Sequence, residues 1–147
     1  MATTLYDVDF YAWTQEQAKL LRQEEFSRLD ITNLIDEIED MGKSQQRQLY
    51  SRLVVLMTPL LKWQFQPGKQ SRSWQATIRV QRRRLHRLLD QTPSLRAHLD
   101  QTIIEAYADA VDEAWAETGL DVETFPSACP YTSTQLLDET FFPTDNP

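Results

Sequence analysis

Hydrophobic positions along this chain recur mainly at intervals of three and four residues, the spacing that places side chains on one face of an α-helix. The stretch 52–65 is instead apolar almost all round, and its large apolar residues are Leu53, Val54, Val55, Leu56, Met57, Leu60, Leu61, Trp63 and Phe65. We therefore expect it to be the central, buried part of a helix from about 44 to 65. Pro59 should kink or break that helix because proline lacks a backbone donor. The uninterrupted apolar run, 53–57, is well short of the roughly 20 residues that cross a bilayer, so no membrane span is expected.

Two helices are predicted before this one. The first starts at Asp7 or Asp9, either of which can cap free backbone N–H groups, and it ends near Glu24. Its core-facing residues are Phe10, Trp13, Gln17, Leu20 and Leu21. The second starts at Asp30 and is expected to stop at Gly42, because glycine readily takes the left-handed conformation that ends helices. Its predicted core face consists of Ile31, Leu34, Ile35, Ile38 and Met41.

Two more helices are predicted after it. The fourth is capped by Ser71 or Ser73, and Gln81 lies within its apolar face, where we expect a buried amide with a hydrogen-bond partner. The apolar members of that face are Trp74, Ile78, Leu85, Leu88 and Leu89, and the outer face carries Arg79, Arg82, Arg83, His86 and Arg87. The fifth helix, roughly 93–118, is capped by Thr92.

The segment after Gly119 is expected to form a strap across the helices. A capping-box pattern from Thr132 to Gln135 opens a short helix that should end at 142–143. The strap residues expected to dock on the helices are Phe125, Tyr131, Leu136, Leu137 and Phe141.

The fold class that follows is all-α. We predict one helical domain over 1–147, with about five main helices in a bundle (1–119) and a C-terminal strap carrying one short helix (120–147). Only three glycines among 147 residues suit helices better than a turn-rich β fold. The lone Cys129 excludes an intrachain disulfide and a cysteine-based zinc site. We expect it to be a packing thiol in a cytoplasmic protein, since free thiols are typical of reducing compartments.

Charge is distributed very unevenly. From 62 to 96 there are nine basic residues and one acidic residue, a net charge of +8, within a chain whose net charge is -7. The remaining residues therefore carry -15. This division predicts that one part of the molecule attracts anions while the rest repels them.

Several motifs resemble a known family. They are Tyr6-Asp7-x-Asp9-Phe10-Tyr11-x-Trp13, Leu29-Asp30-x-x-Asn33-Leu34-Ile35-x-Glu37-Ile38-Glu39-x-Met41-Gly42, Leu60-Leu61-Lys62-Trp63-Gln64-x-Gln66-Pro67, Ser73-Trp74-x-x-Thr77-Ile78-x-x-Gln81-Arg82, and Glu117-Thr118-Gly119-Leu120 with Phe125-Pro126-x-x-Cys129-Pro130-Tyr131-Thr132. Over nearly its whole length the chain resembles domain-of-unknown-function family twenty-nine. The resemblance implies an all-helical fold and a bacterial, mainly cyanobacterial, source. It implies no activity and no catalytic residue. Many members have His at the position where this chain has Pro59. A metal-binding or acid–base role of that histidine in the family therefore cannot apply to this chain.

Acidic residues one turn apart are one candidate for chemistry, because helical bundles hold metals with such carboxylates. The weak candidates here are Glu37 and Asp40 on the second helix and Glu105 and Asp109 on the fifth. A bundle metal site needs inward-pointing carboxylates, whereas those of the second helix lie opposite its predicted core face. A solvated face is therefore the preferred interpretation. No metal and no cofactor are expected, and a metal-dependent hydrolase is the last of three functional hypotheses.

The cationic face of the fourth helix is the stronger signal. Arg79, Arg82, Arg83 and Arg87 could follow a nucleic-acid backbone, or they could pair with the acidic helices of this chain or of another copy. Trp115 lies on the polar side of the fifth helix and is a candidate interface residue. We predict a protein-interaction or regulatory module that binds another protein or itself through acidic and basic helix faces. The alternative is a nucleic-acid-binding protein, such as one component of a toxin–antitoxin pair.

Overall fold

The computed structural model describes residues 4–144, and within them every regular element is helical. The α-helices are α1 (Leu5–Val8), α2 (Phe10–Arg22), α3 (Ile31–Phe65), α4 (Arg72–Gln91), α5 (Leu99–Thr118) and α6 (Ser133–Leu137). Short 3-10 turns lie at Phe26–Arg28, Pro67–Lys69, Pro93–His98 and Val122–Thr124. The all-α prediction is confirmed. The chain divides into two compact units, and the division falls between Ser44 and Gln45.

Helix α3 replaces two predicted helices, so residues 4–144 contain four long helices rather than five. Gly42 does not end a helix, and Pro59 lies inside α3 without breaking it. The intrinsic penalty of a mid-helix glycine is only about 1 kcal/mol relative to alanine. Proline removes one backbone bond, but both Pro59 and the preceding Thr58 are buried, and the Thr58 hydroxyl donates to the Val54 carbonyl (2.8 Å). Burial on both sides of Pro59 outweighs the lost bond, and the predicted stop and break were therefore wrong.

The first unit contains α1, α2 and the beginning of α3. Asp9 caps α2 by accepting from the Ala12 N–H at 3.0 Å, as expected for one of the two candidate caps. Helix α2 ends at Arg22, two residues before the predicted end. Within residues 4–44 the buried side chains are Trp13, Gln17 and Leu20. Phe10 and Leu21, which were predicted to face the core, are about half exposed.

Asp30 organises the entry to α3. Its carboxylate accepts from the Trp13 indole N–H (2.9 Å) and from the Asn33 side-chain amide (2.8 Å). Its own backbone N–H donates to the Gln17 side-chain oxygen (2.8 Å). The predicted N-cap role is confirmed, because the Asp30 carboxylate also accepts from the Asn33 N–H. The hydrogen bond from the Asn33 side chain, followed by the bond from Trp13, lowers the pKa of Asp30 below its ordinary value of 3.8.

Acid titration should report this arrangement directly. A carboxyl whose pKa is lowered by folding stabilises the fold above its unfolded pKa, and the stabilisation is lost as pH falls through the lowered value. In an NMR titration with assigned resonances, we expect the Trp13 indole N–H signal to shift as Asp30 is protonated. The midpoint of that shift should lie below pH 3.8. In the Asp30→Asn variant that titration should disappear. A wild-type midpoint at or above the ordinary value would contradict the arrangement.

The second unit contains the main hydrophobic core. The C-terminal part of α3 supplies eight buried residues, namely Leu49, Leu53, Leu56, Met57, Thr58, Pro59, Leu60 and Leu61. Buried residues from α4, α5 and the strap complete the cluster, among them Ile78, Leu85, Leu89, Ile103, Ala106, Ala110 and Ala114. Five of the nine large apolar residues of 52–65 are buried, namely Leu53, Leu56, Met57, Leu60 and Leu61, whereas Val54, Trp63 and Phe65 are partly buried and Val55 is exposed. The stretch thus lies at the centre of the core, as predicted, but it is not buried on every side.

The ends of the remaining helices were predicted with mixed success. Ser71 caps α4 by accepting from the Trp74 N–H (3.2 Å), and Gly119 ends α5 in the left-handed conformation, with φ of 72°. Thr92 makes no side-chain capping bond, so its predicted role was wrong. The chain there forms a 3-10 turn from Pro93 to His98, and α5 begins only at Leu99.

The strap packs on the core of the second unit. The capping box at Thr132 and Gln135 is present, but α6 ends at Leu137 rather than at 142–143. All five docking residues lie in or against the core: Phe125, Tyr131 and Leu136 are buried, and Leu137 and Phe141 are partly buried. The Tyr131 hydroxyl donates to the Gln64 side chain at 2.9 Å. The docking prediction is confirmed.

Candidate functional site

The apolar face at the start of α3 is exposed rather than buried. We call Ile31, Ile35, Ile38 and Met41 the α3 stripe; their side chains are 49–69% exposed. Leu34, the fifth member of the predicted face, is partly buried. The prediction that this face lies in the core was therefore wrong. Helical periodicity identifies an apolar face, but it does not specify what covers that face.

The α3 stripe is set apart from the acidic residues of the same helix. At 100° per residue, Asp36 and Asp40 fall on the side of α3 away from Ile38. Both are exposed, whereas Glu37, which was also expected opposite the core face, is partly buried. The beginning of α3 therefore presents an apolar surface on one side and a charged surface on the other, as the sequence predicted. What differs from the expectation is that both surfaces face solvent.

Three of the four candidate metal ligands accept hydrogen bonds from neighbouring side chains. Glu37 accepts from the Tyr6 hydroxyl, and this bond is the main reason that the pKa of Tyr6 is raised to about 12. Asp109 accepts from the Tyr50 hydroxyl, which likewise raises the pKa of Tyr50.

The other two candidates are Glu105, which accepts from Gln101 at 3.2 Å, and Asp40, which is exposed. Between residues 4 and 144 no three His, Cys, Asp or Glu side chains are grouped as metal ligands. The described residues thus give no support to the metal-dependent hydrolase hypothesis.

Arg82 is not on the exposed cationic face. Its side chain is 1% exposed, and burial lowers the pKa of the guanidinium. Nε donates to the Leu136 carbonyl (2.9 Å), and Nη2 donates to the Gln135 carbonyl (3.3 Å). One turn later His86, in the tautomer protonated at Nε2, donates to the Leu137 carbonyl (2.6 Å). These side chains satisfy the last carbonyls of α6, which lack partners within the helix.

The position of Arg82 on the helical wheel of α4 already indicated that its side chain lies on the apolar face. Arg82 follows Ile78 by four residues, which places it about 40° round the helix and within the width of the apolar face. The assignment of Arg82 to the outer face was therefore wrong. Gln81 is buried as predicted, but its side-chain oxygen, like Arg82 Nη1, has no hydrogen-bond partner among the described residues. The expected partner of the Gln81 oxygen was not found.

Two clefts contain the arginines of α4 between residues 79 and 87. The strap cleft, about 280 Å³, is lined by Arg79, Arg82, Arg83, Glu139 and Thr140. The arginine cleft, about 310 Å³, is lined by Gln48, Arg52, Arg84, Arg87, Leu88 and Gln91. The strap cleft includes the carboxylate of Glu139, whereas the arginine cleft has no acidic lining residue. The predicted set of four arginines is thus divided, and Arg52 and Arg84 were missing from it.

Trp115 lies on α5 and is 52% exposed, as expected for an interface candidate. Its role at an interface stays a prediction. A separate groove of about 790 Å³ runs beside the same helix and is lined by Phe65, Ile104, Tyr107, Val111 and Phe125 among others. Trp115 does not line this groove.

Comparison with known proteins places the chain in a family. A family model described as "Domain of unknown function DUF29" matches residues 5–142. No curated protein and no solved structure matches the chain. In the part of the chain that the structure describes, no helix has the length and apolar character needed to cross a membrane.

Proposed function

The chain belongs to the DUF29 family, whose description carries no activity, and from this premise we propose that the protein is an interaction module that pairs with a second copy of itself. The observation that carries the proposal is the exposed α3 stripe. An apolar patch on one helix face is typical of surfaces that bind another protein. The proposed contact joins the α3 stripe of one copy to the same stripe of the other.

The first support is the small core of the first unit. Within residues 4–44 only Trp13, Gln17 and Leu20 are buried. Most of the stability of a helix in a protein comes from packing its amphipathic face. The first unit has little such packing of its own, and a second copy would supply it.

The second support is the apolar area available. Ten large apolar residues of this unit are 39–73% exposed: Leu5, Val8, Phe10, Tyr11, Leu21, Phe26, Ile31, Ile35, Ile38 and Met41. At roughly 80 Å² each, the four residues of the α3 stripe expose about 320 Å², the size of apolar patch that is often functional. The other six lie on α1, α2 and the Phe26–Arg28 turn, and a contact that extended from the stripe to them would approach the roughly 800 Å² that one partner contributes to a standard interface.

The third support is the spacing of the α3 residues, which favours a helix of the same kind as partner. Ile31, Leu34, Ile38 and Met41 follow intervals of three, four and three, the a and d positions of a heptad. Isoleucine at a and leucine at d favour two-stranded pairing. A two-fold symmetric contact then buries the same patch on both copies.

Charge supports an apolar contact rather than an acidic–basic one at this surface. Residues 4–44 contain ten acidic and four basic residues, a net charge of -6. Two such units repel each other at low ionic strength, and added salt screens that repulsion. The dimer should therefore persist or tighten as salt is raised. Pairing between acidic and basic helices, the mode first expected from the charge pattern, predicts the opposite response.

Sedimentation equilibrium tests the proposal. We expect the wild-type protein to be a dimer at micromolar concentration and the Ile38→Glu variant to be a monomer, with a dimer Kd raised at least about 100-fold, because a buried unpaired charge is strongly unfavourable. The matched control is Ile104→Glu on α5: Ile104 and Ile38 are each 65% exposed. The control should remain dimeric.

Three results would contradict the proposal. One is a wild-type protein that stays monomeric at the highest concentration reached. Another is a dimer that Ile38→Glu and Ile104→Glu weaken equally. The third is a dimer that dissociates when salt is raised, which would favour pairing of acidic and basic faces. Circular dichroism of both variants would show that neither substitution has unfolded the helices.

We also infer a cytoplasmic location. The support for it is Cys129, a free, partly buried cysteine. Burial raises the pKa of its thiol, and a free thiol is typical of proteins in reducing compartments.

A further inference from the structure

The arginine cleft is lined by hydrogen-bond donors from two helices, and each helix contributes an arginine and a glutamine at the same spacing. Helix α3 contributes Gln48 and Arg52, and helix α4 contributes Arg87 and Gln91, each pair four residues apart. Residues four apart on a helix lie on the same face, one turn from each other. Arg84, one turn before Arg87, adds a third guanidinium to the same cleft. The lining therefore carries three cationic groups and two amides.

This cleft has no anionic group of its own. Among its lining residues there is no Asp or Glu. The nearest acid along α4 is Asp90, and its carboxylate already accepts from Arg96 Nη2 at 3.1 Å. Within residues 4–144 neither Arg52, Arg84 nor Arg87 forms an ion pair within 4.0 Å. Three like charges around one cleft repel each other, and a bound anion would relieve that repulsion.

We infer that the arginine cleft binds a small molecule carrying two or more linked phosphates. The planar, forked guanidinium of arginine matches the oxygens of a phosphate and can bind two of them at once. Three guanidiniums suit a ligand with several negative charges rather than a single carboxylate. The volume of about 310 Å³ lies at the lower end for small-molecule sites. The amides of Gln48 and Gln91 supply neutral donors to the same cleft.

A small polyphosphate fits this surface better than a nucleic-acid strand. Affinity for nucleic acid grows with the number of phosphates that basic residues contact. The exposed arginines next along α4, Arg79 and Arg83, share the strap cleft with Glu139, whose carboxylate repels phosphate. Arg82, between them in sequence, is buried against the strap. Of the two clefts that contain arginines of α4, the arginine cleft is thus the one without an acidic lining residue.

Isothermal titration calorimetry with tripolyphosphate tests the inference. The site variant carries Arg52→Gln and Arg87→Gln, and the matched control carries Arg79→Gln and Arg83→Gln, so both lose two positive charges. We expect tripolyphosphate to bind the wild-type protein with a micromolar Kd at low salt, and we expect the site variant to raise that Kd at least about tenfold. The control should change it less than about twofold.

Parallel titrations with inorganic phosphate and with a single-stranded RNA oligonucleotide define the ligand class. Inorganic phosphate should bind more weakly than tripolyphosphate, because it engages fewer guanidiniums. The inference is overturned if tripolyphosphate shows no binding at millimolar concentration, or if the site and control variants lose affinity equally. It is also overturned if the RNA binds more tightly than tripolyphosphate and both variants weaken it, which would support the nucleic-acid alternative. Glutamine keeps most of the aliphatic stem of arginine, and circular dichroism checks that both variants fold.

Discussion

Replacing Arg82 with alanine is expected to lower the free energy of unfolding by about 3–5 kcal/mol, because the change leaves buried polar groups unpaired and creates a cavity. The carbonyls of Gln135 and Leu136 would lose their donors from the guanidinium. The Phe142 ring, whose centroid lies 5.6 Å from the guanidinium carbon, would lose a cation–π contact. The strap should therefore release from α4 at lower denaturant concentration than in the wild-type protein.

Urea unfolding followed by circular dichroism would measure this change, and Arg83→Ala is the matched control. Arg83 is exposed on the same helix, and its replacement should change the stability by less than about 0.5 kcal/mol. Arg82→Lys should recover little, since one ammonium cannot reproduce the two directed bonds of the guanidinium. If Arg82→Ala were no more destabilising than Arg83→Ala, the anchoring role of Arg82 would have to be abandoned.

The Leu53→Ala substitution should lower the free energy of unfolding by about 2–5 kcal/mol, the range for removing a leucine side chain from a packed core. Leu53 is fully buried in the part of α3 that forms the centre of the second unit. Val55, two residues further along the same helix, is 42% exposed. Val55→Ala should therefore lower the stability by less than about 1 kcal/mol.

Thermal and urea denaturation of the two α3 variants would check the contrast between a buried and an exposed position. A loss at Leu53 as small as that at Val55 would mean that the core is not centred on this part of α3. Both variants leave the α3 stripe unchanged, so the dimer Kd should not change when it is measured below the unfolding transition. If Leu53→Ala raised the dimer Kd as well as lowering the free energy of unfolding, dimerisation would depend on the core packing of α3.

The helices were predictable because their signals are local. Residues such as Asp9, Asp30 and Ser71 can hydrogen-bond to backbone groups three positions away, so sequence spacing is enough to place these caps. Pro59 was misjudged for the opposite reason, because whether a proline ends a helix depends on how much apolar surface the neighbouring turns bury, which is a property of the assembled core. Gly42 lies in an exposed part of α3, where the penalty of about 1 kcal/mol for a mid-helix glycine is small enough for the helix to continue.

The candidate sites were less predictable because they depend on distant parts of the chain. The α3 stripe was recognised as an apolar face, but its exposure depends on what the rest of the chain covers. The arginine cleft requires α3 and α4 to bring Arg52 beside Arg84 and Arg87, which are more than thirty positions later. The burial of Arg82 required the strap, although its angular position on α4 already favoured the inner side of the helix.

The anchoring of the strap also constrains the order of folding. His86 and Arg82 reach carbonyls that lie 51 and 54 residues later in the chain, so these bonds close a long loop. Closing such a loop has an entropic cost that is recovered only when the contacts at its ends are in place. We therefore expect α4 to pack before the strap arrives, with the Arg82 guanidinium hydrated until α6 docks. In the reverse direction, we expect release of α6 to return water to Arg82 before the long helices separate.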